Sequence, residues 1–318
     1  MTKAIITGGA GFIGYHLGKK LLSENYEVSI LDNFSDYYSV ELKKQNAQEL
    51  KELGAEIIEG SILNQKDLSN IIENDCDIVF HLAAQPGVRY STLNPQQSLR
   101  INIEGTTEVL AISQKRNVKK IVISSSSSVF GSKQYLPIDE NHPKNPISYY
   151  GVSKLATEKI VDVYRYLHKE MDISIIRPFT VVGARQRPDM ALNVFVTKAF
   201  KNKTIPIYGD GSQTRDWTHA SNIAHGFYLA ATKTTAKNES FNIGSGISTS
   251  VNETLDLISE ISGKKLKIDY QEFYKADVKD TLADIKKAKK LLGYQPVRTL
   301  REAIQEFIDD YDKIKSLY

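Results

Sequence analysis

The segment Thr7-Gly8-Gly9-Ala10-Gly11-Phe12-Ile13-Gly14 constrains this chain more than any other. It follows an apolar run, Ala4–Thr7, that reads as a buried strand, and it opens a helical period carried by Leu17, Leu21 and Leu22. Both G-x-G-x-x-G (Gly9, Gly11, Gly14) and G-x-x-G-x-x-G (Gly8, Gly11, Gly14) are satisfied. Glycines at these steps permit a tight strand-to-helix turn and let backbone N–H groups approach a pyrophosphate. The helix N-terminus adds partial positive charge. The next strand ends at Asp32, an acid placed to hold a ribose 2′-hydroxyl. A carboxylate there repels a 2′-phosphate, so the expected cofactor is NAD rather than NADP.

The β–α unit repeats. Apolar runs at Val28–Leu31, Ile57–Ile58, Ile78–His81, Ile121–Ser124 and Ile173–Ile176 read as further buried strands, with helical periods between them such as Val109, Leu110 and Ile112. This alternation predicts an α/β fold: a Rossmann-type doubly wound parallel sheet with helices on both faces and right-handed crossovers. After Phe179 it weakens. Pro178, Pro188 and Pro206, then Gly209, Gly211, Gly244 and Gly246, mark loops. Helical periods return at Ala191–Lys201, Ile223–Ala231, Val251–Ser262, Ile285–Leu292 and Leu300–Ile314. We expect residues 1–179 to form the NAD-binding domain, with 218–246 returning to it. Residues 180–217 and 247–318 should form a smaller mixed α/β substrate-binding domain, packed closely because no Pro/Gly/Ser linker intervenes.

Composition narrows the function. The 318 residues carry a net charge of only +3, too little for nucleic acid as the main partner. One cysteine, Cys76, forbids an intramolecular disulfide and a cysteine-rich zinc site. The six histidines show no H-E-x-x-H spacing, so no metal is expected. No run approaches the roughly 18 apolar residues of a membrane span. No cationic and apolar leader precedes the first strand, so a cytoplasmic location is expected.

Two further features carry chemistry. Tyr150 and Lys154 stand at i and i+4, on one face of a helix. A free tyrosine has a pKa near about 10, and an adjacent ammonium and a positive nicotinamide ring favour its phenolate. Just upstream, the run Ser124-Ser125-Ser126-Ser127-Ser128-Val129-Phe130-Gly131 begins at a strand's carboxyl end, where open α/β sheets bind ligands. One of these hydroxyls can bond a sugar hydroxyl and help pass its proton to Tyr150.

Together the glycine loop, Asp32, the serine run and Tyr150/Lys154 resemble the extended short-chain dehydrogenase/reductase family, and within it the nucleotide-sugar epimerases. Supporting segments span nearly the whole chain: His81-Leu82-Ala83-Ala84-Gln85, Asn102 with Gly105-Thr106, Gly209–Asp216, Thr281-Leu282-Ala283-Asp284 and Leu292–Pro296. Three more are similar to UDP-glucuronate 4-epimerases: Asp32–Tyr38, Ala84–Ser91 and Phe179–Ala191. Thr180 stands where hexose-type epimerases usually have Asn, leaving room for a carboxylate at sugar carbon 6.

The resemblance implies roles. Tyr150 would be the catalytic base, Lys154 its electrostatic partner, and Ser126 the matching hydroxyl. NAD would be held by Gly8, Gly11, Phe12, Ile13, Gly14, Asp32 and Asn33, by Ser61 and Ile62, and by Leu82, Ala83, Ala84, Asn102 and Ser124, with Tyr150 and Lys154. The UDP-sugar would meet Gln85, Arg89, Ser126, Ser127, Ser128 and Tyr150, then Thr180, Arg187, Asn193, Arg215 and Asp277. Arginine suits the substrate's carboxylate and phosphates because it bonds such anions bidentately. Ser61 replaces a usual Asp near the adenine, Phe130 a usual Tyr, and Ser221-Asn222 a usual acidic pair.

The implied reaction is 4-epimerisation of UDP-glucuronate to UDP-galacturonate through a transient 4-keto sugar. The alternative is 4-epimerisation of UDP-glucose or UDP-N-acetylglucosamine. Sugar 4,6-dehydratases and UDP-glucuronate decarboxylases place a carboxylate in the serine stretch, and this chain has none. A non-catalytic NAD-binding protein would have no use for the Tyr–Lys pair. Apolar faces on the helices expected at Gln96–Arg116 and Ser148–Lys169 imply, by the same resemblance, a homodimer built on a four-helix bundle.

Overall fold

The computed structural model describes residues 1–74, 76–273 and 278–317. Its centre is a seven-stranded parallel sheet. The strands are β1 (Lys3–Thr7), β2 (Glu27–Asp32), β3 (Glu56–Glu59), β4 (Ile78–His81), β5 (Lys120–Ser124), β6 (Asp172–Pro178) and β7 (Ser240–Ile243). Their spatial order is β7-β6-β5-β4-β1-β2-β3. Thr7 of β1 pairs with Leu31 of β2 on one side and with His81 of β4 on the other. The chain therefore reverses direction across the sheet between β1 and β4, which opens a crevice beyond their carboxyl ends.

Successive strand side chains point to opposite faces, so each apolar run feeds two cores. Ile6, Ile30, Phe80, Val122, Ile176 and Phe241 share one core with Leu17 and Leu21 of the helix Phe12–Ser23 and Phe227 of the helix Ala220–Thr232. Ile5, Leu31, Val79, Ile121 and Ile175 face the other, with Leu68, Val109 and Val161. A third core lies beside the sheet. It gathers Leu192 and Phe195, Trp217, Leu255 and Ile258, and Ile304 and Phe307 from the helices Ala191–Phe200, Val251–Ser262 and Leu300–Ile314 and a short strand. Two of these helices start with reciprocal caps, Ser250 with Glu253 and Thr299 with Glu302. Asn222 ties the segment before the last helix to the sheet lobe. Its Oδ1 accepts from Val297 N and Arg298 N, each at 3.1 Å, and its Nδ2 donates to Arg298 O at 2.7 Å.

Two elements differ from the sequence reading. Ser240–Ile243 is a seventh strand, parallel to β6. Four residues alternating polar and apolar do not stand out as a buried run. The helix expected over Gln96–Arg116 is broken into Pro95–Leu99, a π-helical turn at Arg100–Glu104, and Gly105–Lys115. Tertiary contacts accompany the break. Asn102 in the turn reaches inward to the Gln85 backbone, and a Cβ on Gly105 would lie 2.4 Å from Ile62. Among the described residues no helix is long and apolar enough to cross a membrane.

Candidate active site

A cleft of about 1010 Å³ opens at the β1/β4 crevice and runs between the sheet and the third core. The glycine loop forms one end. Gly8 adopts φ +74°, and a Cβ there would lie 2.7 Å from Ala83. A Cβ on Gly14 would lie 2.3 Å from Gly8 O, so the loop closes only on glycine. The helix Phe12–Ser23 begins at Gly11 with no side-chain cap, which leaves its first N–H groups facing the cleft for an anion. Asp32 is buried at the end of β2. Its carboxylate accepts from Ala10 N at 3.1 Å and Phe34 N at 2.9 Å. Burial raises its pKa, while these N–H bonds and the Lys43 ammonium oppose the rise.

Phe12, Ile13, Asn33, Ser61 and Ile62 line the same end. Leu82, Ala83 and Ala84 line it from beyond β4. Ser61 N donates to Asp67 Oδ2 at 2.9 Å, so a carboxylate from the first turn of the helix Gln65–Ile71 stands behind the serine. The donors and the space fit a dinucleotide. Gly14→Ala is expected to abolish dinucleotide retention with far-UV circular dichroism preserved. Nucleotide released on denaturation, read at 260 nm, checks this.

A proton-ordered chain holds the crevice open. Thr106 Oγ1 donates to Asn102 O at 2.6 Å, so it accepts from His81 Nε2 at 3.0 Å. His81 Nδ1 then accepts from Thr7 Oγ1 at 2.7 Å, and Thr7 Oγ1 accepts from Ala83 N at 3.3 Å. Burial and the Lys154 ammonium pull His81 down to about 3, which keeps the ring neutral and the chain intact.

At the middle of the cleft lie Tyr150 and Lys154, on the helix Tyr149–Leu167 capped by Ser148. Lys154 Nζ donates to Ser124 O at 2.8 Å. Burial draws this ammonium down to about 8. Ser126 caps the turn Ser127–Val129, and its Oγ donates to Ser128 Oγ at 3.1 Å. Burial raises the Tyr150 phenol, while the Arg187 guanidinium and a hydrogen bond with Ser126 pull it back. The sequence pairs Tyr150 with the Lys154 charge. In the structure the cation acting on the phenol is Arg187.

Ser124, Ser127, Ser128, Gln85 and Thr180 line the same space. Arg187 donates Nε to Asp189 Oδ1 at 2.9 Å and Nη2 to Oδ2 at 3.1 Å, and Tyr37 OH donates to Oδ2 at 2.9 Å. Burial tends to lower the Arg187 pKa, but Asp189 outweighs it and holds the guanidinium charged. At the far end Arg89 stacks on the Tyr208 ring at 4.3 Å. Arg215 donates Nη1 to Thr214 O and Lys279 O, each at 2.9 Å.

Two expected contacts are corrected. Asn102 is not on the cleft wall. It accepts from Gln85 N at 2.7 Å and donates to Gln85 O at 3.1 Å and Ser153 Oγ at 2.8 Å, so it shapes the wall from behind. Asn193 is likewise engaged behind the wall: its N–H reaches Gln186 Oε1 at 3.1 Å, its Nδ2 reaches Gln186 O at 2.8 Å, and its Oδ1 accepts from Thr197 Oγ1 at 3.0 Å. Asp277 lies outside the described residues. Sequence reading missed Glu158, Arg177, Asp189 and Tyr37. Glu158 had a usable signal, since it repeats the four-residue step from Lys154 along the same helix.

Comparison with known proteins agrees with this geometry. Residues 5–307 match the family described as GDP-mannose 4,6 dehydratase. The chain is 37% identical to a UDP-glucuronate 4-epimerase of Thermodesulfobacterium geofontis, covering 98% of each chain. It is also 37% identical to a putative UDP-glucose 4-epimerase of Methanocaldococcus jannaschii, covering 96% of this chain and 97% of that one. Among solved structures, the UDP-glucuronic acid 4-epimerase of Bacillus cereus, in complex with UDP-glucuronic acid and NAD, superposes with a TM-score of 0.92. That match is 36% identical and covers both chains fully. Family match, relatives and fold converge: the chain belongs to the extended short-chain dehydrogenase/reductase family, among its NAD-dependent nucleotide-sugar epimerases.

Proposed function

We propose that this enzyme interconverts UDP-glucuronate and UDP-galacturonate at sugar carbon 4. One observation carries the choice of sugar. A charged guanidinium, Arg187, acts on the Tyr150 phenol from within the cleft. A carboxylate anchored by Arg187 brings the rest of a hexuronate to Tyr150 and Ser126. Ser127, Ser128 and Thr180 supply hydroxyls to the same sugar, and Gln85 closes its other side. Arg89 and Arg215 are placed for the diphosphate, with Asp277 assigned toward the uridine. The sheet lobe takes NAD and the smaller lobe takes the UDP-sugar.

NAD, held by the glycine loop and Asp32, would supply a reversible oxidant for carbon 4. Tyr150 takes the proton from the 4-hydroxyl oxygen and later returns it. Ser126 holds that oxygen in line with the phenol. Lys154, fixed on Ser124 O, favours the phenolate while the proton is away. The walls position the sugar and let the ketone turn over, so that the hydride held by the cofactor would return to the opposite face of carbon 4 while Tyr150 returns the proton to the oxygen.

A second reading, UDP-glucose 4-epimerisation, is favoured by the Arg187–Asp189 pair. A neutral sugar would leave that pair intact, with neither charge deprived of its partner. Proton NMR of the anomeric region separates the two. Growth of UDP-galacturonate signals from UDP-glucuronate is the expected result. Conversion of UDP-glucose alone would reassign the sugar, and a pentose product would establish decarboxylation.

We assign the protein to the cytoplasm, where a lone buried thiol such as Cys76 stays reduced. A homodimer is supported by an exposed apolar stripe at helical spacing, Tyr149, Val152, Val163 and Leu167, on the outer side of the helix that carries Tyr150.

A further inference from the structure

One helical turn beyond Lys154 stands Glu158, which is 2% exposed. Its carboxylate is bound from three elements. Arg177 of β6 donates Nε to Oε1 at 2.7 Å and Nη2 to Oε2 at 2.9 Å. Ser125, just past β5, donates Oγ to Oε1 at 2.7 Å. Lys144, from the loop before the helix, places Nζ 3.0 Å from Oε2. A buried ion pair is a weak stabiliser of a fold, because desolvation offsets most of its attraction and apolar replacements are often as stable. The pair's surroundings give it different work.

Ser125 sits between two groups of the reacting site. The Ser124 carbonyl before it accepts the Lys154 ammonium at 2.8 Å. Ser126 after it caps the Ser127–Val129 turn and faces the Tyr150 phenol. Ser125 N is also tied to Ile176 O at 2.7 Å. Glu158 therefore braces the three-residue strand end from below, while Lys154 and Glu158 share a helix face at i and i+4. We propose that Glu158 is a further positioning residue for epimerisation: through Ser125 it fixes the strand end that grips Lys154 and presents Ser126, and its carboxylate is the counter-charge to the Lys154 ammonium.

Electrostatics agree in sign. Burial alone lowers Lys154, and Glu158 is the group that opposes the fall. Facing Lys154 are Glu158 and Tyr150 from its own helix and His81 from β4, which stays neutral. Facing Glu158 are Arg177 from β6 and Lys144. Neutralising Glu158 leaves Lys154 without its counter-charge, so the amine loses its proton at lower pH.

This inference rests on the 4-epimerase reading for its kinetics but not for its titration. The test uses the full chain with Glu158→Gln and Ser125→Ala. Carbon-13 NMR of ε-labelled lysine follows Lys154 without substrate, with Lys154→Arg identifying the resonance. In E158Q the Lys154 midpoint is expected to fall by about one pH unit. The alkaline limb of kcat should fall with it, and kcat should drop about tenfold with KM within twofold. S125A keeps the charge, so its midpoint should stay while kcat falls several-fold. A folded E158Q with an unmoved Lys154 midpoint overturns the proposal whatever happens to the rate. If E158Q does not fold, S125A decides alone, and an unchanged kcat overturns it. Wild-type protein inactive on every UDP-sugar would refute the epimerase reading instead, with the Lys154 titration still deciding the role of Glu158.

Discussion

Tyr150→Phe is expected to lower kcat by about 10³-fold, within the range for loss of a positioned general acid–base. The phenol is the group at the cleft centre that faces Ser126, with the Arg187 guanidinium acting on it and Lys154 one turn along the same helix. Phe keeps the ring and its packing but cannot carry the 4-hydroxyl proton. Loss of one hydroxyl hydrogen bond costs about 1 kcal/mol of stability, so the fold should persist. KM for UDP-glucuronate should change no more than a few-fold, since Arg187, Thr180 and the serines are untouched. Steady-state kinetics with circular dichroism as control checks this. A variant within tenfold of wild type would remove Tyr150 from the chemistry.

Arg187→Met should separate the two candidate sugars. A hydrogen bond to a charged group contributes about 1.5–3 kcal/mol, equivalent to roughly 10–150-fold in kcat/KM for UDP-glucuronate. UDP-glucose, which has no carboxylate, should lose far less, so selectivity for the uronate should fall at least about tenfold. Asp189 is partly exposed and keeps its Tyr37 bond, so water can take over from the lost guanidinium. The same variant should move a pH limb. Arg187 favours the Tyr150 phenolate, so its removal raises the phenol pKa. The rising limb of kcat then shifts to higher pH, and activity at neutral pH drops further. Equal losses for both sugars, with an unmoved limb, would overturn the anchor assignment.

What could be read before the structure was whatever depends on local spacing. The glycine loop, Asp32, the serine run and Tyr150/Lys154 all lie within short segments, and each lines the cleft. β1, β2, β4, β5 and β6 announce themselves as apolar runs because both faces of a parallel sheet are buried, whereas the edge strand β3 offers only Ile57 and Ile58, each half-buried. Partners that meet across the chain leave no such mark. Glu158 meets Arg177 across 19 residues, and Tyr37 meets Asp189 across 152. Asn102 and Asn193 were misplaced for a related reason. Sequence places a polar amide near a site, but only tertiary geometry decides whether it faces the ligand or the loop behind.

The strand order has a consequence for synthesis. β6 pairs with β5 on one edge, but its other edge waits for β7, which is made about 65 residues later. At typical translation rates of about 5–20 residues per second, that interval lasts roughly 3–13 s. Throughout it, Ile173, Ile175 and Ile176 lie beside a row of unpaired backbone groups, a ready template for a neighbouring nascent chain. The nascent chain thus offers this edge for aggregation while the segment between the two strands is being made, and a ribosome-associated chaperone would help in that window.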